Sequence, residues 1–171
     1  PGRNLDSFFL PAEGVREVLV DVVREEQAGI AVLEGVMGYY DGLGGTETSA
    51  SSWEIAEITD TPAILVLDCK GASLSAAAMA SGFLHFREKS HIAGVILNRV
   101  SSMYYERLAA AVEEASRLPV LGYLPESEEY HMESRHLGLF LPGEIDRLRE
   151  RIGRLADQME KSIAVERVLE V

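Results

Sequence analysis

Three short apolar runs, each closed by an acid or an amide, constrain this chain more than any other feature. Ile30–Leu33 ends on Glu34, Ala63–Leu67 on Asp68, and Ile92–Leu97 on Asn98. Runs of this length bounded by glycine or turn residues read as buried strands. Between them the periodicity becomes helical. Val15, Val18, Leu19, Val22 and Val23 share one helical face, which Gly29 is predicted to end. Ser51-Ser-Trp-Glu54 has the form of a capping box, ahead of a short helix with Ile55 and Ile58 facing inward and Thr61-Pro62 as its stop. Ser73 is placed to cap a small-residue helix from Leu74 to about Phe86, and Ser102 to cap a helix over Met103–Arg117. Pro119–Pro125 holds a short fourth strand. A long amphipathic helix is predicted from Pro142 through Ile145, Leu148, Ile152, Leu155 and Met159. Consecutive βα units imply a parallel sheet covered on both faces. The predicted fold is α/β, a doubly wound parallel sheet. The segment 126–141 has no assignable pattern, and Ala164–Val171 reads as the start of a further strand or a linker.

The 171 residues suffice for one domain with a proper core. No apolar run approaches a membrane span. The single cysteine, Cys69, excludes an internal disulfide and reads as a small buried residue. With no basic-then-apolar leader at Pro1, a reducing, cytoplasmic setting is expected. The net charge of -12 argues against nucleic acid as a partner, because binding its backbone requires a basic face. It does not argue against a nucleotide, which backbone amides and an acid-held metal can bind.

Glu34 is the leading candidate for chemistry. An acid at the carboxyl end of a strand lies where open α/β sheets bind ligands. Mg2+ favours one or two carboxylates plus substrate phosphates, so Glu34 can serve as a magnesium ligand, directly or through water. The alternative is an acid that merely caps a strand. Asp41-Gly42 is first of all a turn signal; next to Glu34, Asp41 becomes a second acid facing the same ligand. Gly42, Gly44 and Gly45 could cradle a ligand by close approach, although they do not form a dinucleotide fingerprint. Asp68 is either a further metal or water-positioning acid or a turn residue, with Lys70 beside it solvated. Asn98 either caps a turn or reads a base edge with its amide, which offers both a donor and an acceptor. Arg99 is expected in solvent. Arg135 and His136 either contact an anionic substrate or lie in an ordinary loop.

Nowhere do these residues contain Gly-x-x-x-x-Gly-Lys-Ser/Thr. A phosphoryl-transferring domain of this architecture needs such a loop after its first strand. Either the protein does not use a nucleotide triphosphate, or that strand and loop lie upstream of Pro1.

Glu34-Gly-Val-Met-Gly-Tyr-Tyr-Asp-Gly42 resembles the Glu-Gly-Val-Met-Gly-Leu-(Phe/Tyr)-Asp-Gly signature of the cobyrinic acid a,c-diamide synthase and hydrogenobyrinic acid a,c-diamide synthase family. Arg3-Asn-Leu-Asp6, the Val-Leu-Asp-x-x-Gly of 66–71, Gly94-Val-Ile-Leu-Asn-Arg-Val100 and Arg135-His-Leu-Gly-Leu139 resemble the same family, in its order. The resemblance implies a P-loop fold like that of dethiobiotin synthetase. It also implies a glutamine-dependent amidoligase of cobalamin biosynthesis, using ATP and Mg2+. In that family the a- and c-acetate carboxylates of the corrinoid are phosphorylated, and ammonia then displaces phosphate. A separate glutaminase domain supplies the ammonia.

Carried over by position, Glu34 matches the magnesium and phosphate-site acid and Asp41 an acid of the amidation half. Asn98 matches the adenine-reading position. Arg3, Asn4, Asp6 and the Thr48–Ser52 loop, with Thr48 and Ser49 foremost, lie near the corrinoid. Residues 1–163 then form part of a synthetase domain, and 164–171 the start of a linker or extra strand. The P-loop and the glutaminase domain lie outside the sequence, and a homodimer is one assembly open to it. Rival readings are a dethiobiotin synthetase-like or partitioning ATPase, and a non-catalytic flavodoxin-like binding domain. The expectation for the isolated chain is no ATP-dependent amidation; diamide formed by it from ATP, Mg2+ and ammonia would refute this.

Overall fold

The computed structural model describes residues 2–131 and 148–171. The chain divides into two compact units, Pro1–Ala63 with Glu88–His91, and Ile64–Arg87 with Ile92–Val171. Among the described residues no helix is long and apolar enough to cross a membrane.

The first unit holds α1, Ala12–Glu25, and α2, Ser52–Thr59, which pack against each other. In α1, Glu13 in the first turn and Arg24 in the last complement the helix dipole. Val15 is its fully buried residue, with Val18, Leu19, Val22 and Val23 half-buried beside it. The helix ends at Glu25 with Glu26 as its C-cap, short of Gly29, because the backbone leaves the helix at Gln27 with φ 50°. The Arg16 Nε also donates to the Ile58 carbonyl at 2.6 Å, joining α1 to α2.

The expected strand Ile30–Leu33 does not form. Among the described residues no neighbouring strand hydrogen-bonds to it, and Val32 is 90% exposed. Apolar patterning records a tendency to be buried, but a strand also needs a partner for its backbone donors and acceptors.

The second unit alternates as the sequence predicts: β1 Ala63–Asp68, α3 Leu74–His85, β2 Ile92–Asn98, α4 Ser102–Ser116 and β3 Val120–Leu124. The result is an α/β fold around a parallel sheet of three strands, ordered β1-β2-β3. Val95 aligns with Val120 and Asn98 with Leu124. Because the order runs one way, right-handed crossovers bring α3 and α4 to the same face, and these helices pack against each other. Ala76, Ala77 and Ala80 of α3 are buried, as are Leu108 and Val112 of α4. Along β1, Leu65 and Leu67 are buried while Val66 is 60% exposed, so among the described residues only one face of this strand is well covered.

Two helix starts differ from expectation. Ser73 makes no cap bond; its hydroxyl pairs with the Tyr104 hydroxyl at 2.5 Å. The N-cap of α4 is Ser101 rather than Ser102. α5, Leu148–Ser162, packs against β3, but Ile152 and Met159 of its predicted inner stripe remain exposed. The predicted start at Pro142 and the residue Ile145 lie outside the described residues. The tail holds a short helix. Ile163 makes one antiparallel bridge to Gly122, Ala164 N–H donates to the Leu121 carbonyl at 2.7 Å, and α6, Val165–Leu169, follows.

Two glycines make this packing possible for different reasons. A Cβ on Gly94 would lie 2.5 Å from the Leu121 Cδ1, a side chain that can rotate. One on Gly122, at φ 147°, would lie 2.3 Å from the Ser162 carbonyl oxygen, which is backbone. Gly94→Ala is expected to cost about 1–3 kcal/mol through overpacking. Gly122→Ala should cost more, because the 162–164 segment must leave β3. Denaturant midpoints of the two variants check the ranking, and equal stabilities would contradict it.

Candidate functional site

In the first unit the residues from Gly35 to Trp53 form a loop that closes on the start of α2. Its closure is mostly backbone. Asp41 N–H donates to Gly38 O at 2.9 Å, Gly42 N–H to Glu47 O at 3.0 Å, and Leu43 N–H to Ser49 O at 2.9 Å. The Gly42 position has no room for a side chain, since a Cβ there would lie 2.1 Å from the Ser49 carbonyl oxygen. Leu43–Gly45 makes a single tight turn. Gly42 is therefore required by the loop's own folding, and Gly44 and Gly45 by their positive φ of 64° and 70°.

Asp41 is exposed, and its carboxylate packs over Gly38, where a Cβ would lie 2.4 Å from Oδ2. Glu34 is exposed as well. Among the described residues neither acid forms an ion pair or a side-chain hydrogen bond. A free carboxylate of this kind fits Mg2+, which takes few protein ligands and completes its shell with phosphates and water. No group of three or more metal-ligating side chains occurs among the described residues.

The capping box at the head of α2 is present but wider than the sequence suggests. Ser51 Oγ accepts Glu54 N–H at 3.2 Å, as expected. The Glu54 carboxylate reaches back to Ala50 N–H at 2.7 Å rather than to Ser51, and it accepts the Ser7 hydroxyl at 2.5 Å. Ser51 N–H and its hydroxyl both bond the Thr48 carbonyl. One carboxylate thus joins the N-terminal segment to the Thr48–Ser52 loop, bringing together two stretches that the resemblance assigned to one substrate. Within that group Asp6 builds a turn, its Oδ1 accepting Phe8 N–H at 2.8 Å. Arg3 lies 3.6 Å from Glu25, both exposed. Asn4 is exposed, and Thr48 and Ser49 shape the loop through their carbonyls.

Segment Glu88–His91 completes this unit from a distant part of the sequence. Tyr39 donates its hydroxyl to Ser90 O at 2.7 Å, and Trp53 Nε1 donates to Lys89 O at 2.9 Å. Lys89 pairs with Asp60 at 3.0 Å. His91, its side chain 5% exposed, sits with Nε2 2.5 Å from Glu57. Burial above all, with Tyr40 and Glu57 nearby, raises the Tyr39 phenol well above its ordinary pKa, so it remains a donor. Sequence reasoning gave no role to Tyr39, Trp53 or this segment. The Tyr39–Ser90 bond spans 51 residues, beyond any local pattern.

The carboxyl ends of the strands lie in the second unit. Asn98 ends β2; its carbonyl accepts Cys69 N–H at 2.9 Å, and its side chain is half-buried. Arg99, at φ 60°, is not simply solvated: it turns back to grip Asp68 through both of that carboxylate's oxygens, with Nε–Oδ1 at 2.6 Å. Lys70 is paired too, with Glu126 at 2.7 Å. Asp68 also accepts Lys70 N–H at 3.1 Å, so its carboxylate is engaged as a strand-end turn residue, not held open for a metal. Cys69 is 4% exposed, and burial, then Asp68, raises its thiol pKa. Arg135 and His136 lie outside the described residues.

The parallel α/β unit with its polar strand ends defines the class. Residues 4–134 match the family model described as AAA domain, and the chain belongs to that family. Over almost its whole length it is related to curated proteins named cobyrinate a,c-diamide synthase. The protein of Streptococcus sanguinis is 41% identical over 99% of this chain and 38% of its own length. That of Listeria innocua is 40% identical over 98% and 37%, and that of Priestia megaterium 38% identical over 99% and 36%. The chain therefore spans less than two fifths of the length of these relatives. No solved structure matches it.

The Asp68–Arg99 pair makes a pH-dependent prediction. The Arg99 hydrogen bonds hold the Asp68 carboxyl below its ordinary pKa. Between the lowered folded value and the unfolded value of about 3.9, the unfolded chain binds more protons, so stability rises with pH there. The pair's contribution is complete above the unfolded value and is lost as pH falls through the folded one. Asp68→Asn should therefore be less stable than the parent near pH 6, with the gap closing toward pH 2. Urea midpoints across that range check it, and a constant gap would show that the pair's charge is not the cause.

Proposed function

We propose that this chain is the central part of the synthetase region of a glutamine-dependent amidoligase that consumes ATP. Its substrate is cobyrinic or hydrogenobyrinic acid, amidated at the a- and c-acetate carboxylates. The observation that carries this reading is the pair of exposed acids, Glu34 and Asp41, on one internally closed loop. Neither is neutralised by a basic side chain among the described residues. Similarity to the named synthases over 98–99% of the chain supports the same reading.

The chemistry follows from what a carboxylate lacks. Its oxygen is a poor leaving group until it carries a phosphoryl group. In the first half a substrate carboxylate oxygen takes the γ-phosphoryl group and ADP leaves. In the second, ammonia adds to the acyl carbon, phosphate departs with that oxygen, and nitrogen loses a proton. Bound through Glu34, Mg2+ would offset the charge that gathers on the phosphoryl oxygens. Asp41 steers ammonia and accepts the proton. Asn98 reads the adenine edge. Arg3, Asn4, Asp6, Thr48 and Ser49 form the corrinoid side, with Glu54 joining their two segments. Ammonia reaches the site from a glutaminase domain of the complete enzyme.

The two acids are separable by experiment in the complete enzyme that carries this chain. Glu34→Gln should lower ADP formation and amidation together, by about 100-fold or more, with circular dichroism unchanged. Asp41→Asn should keep substrate-dependent ADP formation and lose amide. Full amidation by Glu34→Gln would remove the metal role and favour a non-catalytic domain.

A further inference from the structure

Tyr39 is held in a clamp. This residue lies two positions before Asp41, and three separate contacts converge on it and its neighbour in space, Trp53. The Tyr39 carbonyl accepts Trp53 N–H at 2.9 Å, in the first turn of α2. Its hydroxyl donates to Ser90 O at 2.7 Å. The Trp53 indole donates to Lys89 O at 2.9 Å. Tyr39 meets Tyr40 edge-on at 4.9 Å, and Tyr40 lies 6.3 Å from the Trp53 ring. The accepting segment is itself held, by Lys89 to Asp60, His91 to Glu57, and the His91 carbonyl to Ala63 N–H at 2.8 Å. An exposed acid on a glycine-rich loop has no side-chain partner of its own to fix it. Its direction is set by the backbone from Gly38 to Gly42, and within that stretch the Tyr39 side chain is anchored outside the loop, on the Ser90 carbonyl.

We propose that Tyr39, seconded by Trp53, is a positioning residue that fixes the direction of the Asp41 carboxylate by clamping the loop to the Lys89–Ser90 carbonyls. The inference rests on the amidation role proposed above for Asp41. The clamp acts on the second half-reaction and leaves phosphoryl transfer alone, because it orders the loop on the Asp41 side.

Tyr39→Phe deletes one oxygen and keeps the ring, so the fold survives it. In this chain, amide exchange at Asp41 and Gly42 should accelerate by about tenfold or more once the clamp opens. Unchanged protection overturns the proposal. In the complete enzyme Tyr39→Phe should lower kcat for amide formation about tenfold, while the first-turnover burst of ADP and the KM for ATP stay put. Trp53→Phe should repeat that pattern. Tyr39→Phe combined with Asp41→Asn should be no slower than Asp41→Asn alone, since residues acting through one group are not additive. An additional, multiplicative loss in the double variant overturns the positioning role. Should Asp41→Asn alone keep full amidation, it is the role of Asp41 that fails, and the exchange measurement still decides whether the clamp exists.

Discussion

The first turn of α2 carries amide hydrogens that no residue of its own helix can accept, and the first unit is arranged around their satisfaction. Ser51 takes the Glu54 amide and the Tyr39 carbonyl takes that of Trp53. Glu54, freed to reach outward, collects Ala50 and Ser7. An orphaned donor here would cost about as much as a lost buried hydrogen bond. The Glu54 donor is met by the N-cap itself and the Trp53 donor by a carbonyl of the acidic loop, so helix capping and loop placement become one event. The N-terminal segment, the acidic loop and the Glu88–His91 segment all take their positions from α2.

The second unit obeys a different constraint, the space between strands. β2 takes a side chain at Gly94 only if Leu121 of β3 gives way, and β3 tolerates none at Gly122 because the chain after α5 crosses it. Here the backbone decides the packing, and the charged residues at the strand ends pair with one another. Arg99 with Asp68 and Lys70 with Glu126 keep that edge polar without leaving either acid open.

The sequence made β1 and β2 legible to the residue, since an unbroken apolar run closed by Asp68 or Asn98 has few other interpretations. α3 and α4 were readable within a residue or two. Ile30–Leu33 satisfies the same pattern and yet is no strand, because apolarity reports what a segment can bury and not whether a partner is beside it. The helix α6 was not legible for the opposite reason: Ala164–Val171 is too short for its period to separate a helix from a strand. In the site, Glu34 and Asp41 stood out by type and by glycine context. Tyr39, Trp53 and the reach of Glu54 to Ser7 did not, because those partners lie 36 to 51 positions away and no spacing rule reaches that far.

The Glu88–His91 segment belongs to the first unit although the chain reaches it only after β1 and α3 have been made. On a ribosome, residues 1–63 therefore emerge without the carbonyls that receive Tyr39 and Trp53. They must wait for roughly 25 further residues, a second or more of synthesis at about 5–20 residues per second. During that interval the acidic loop has no outside anchor and the aromatic rings around it have no fixed neighbour. The order of manufacture thus makes the loop the last part of its unit to set.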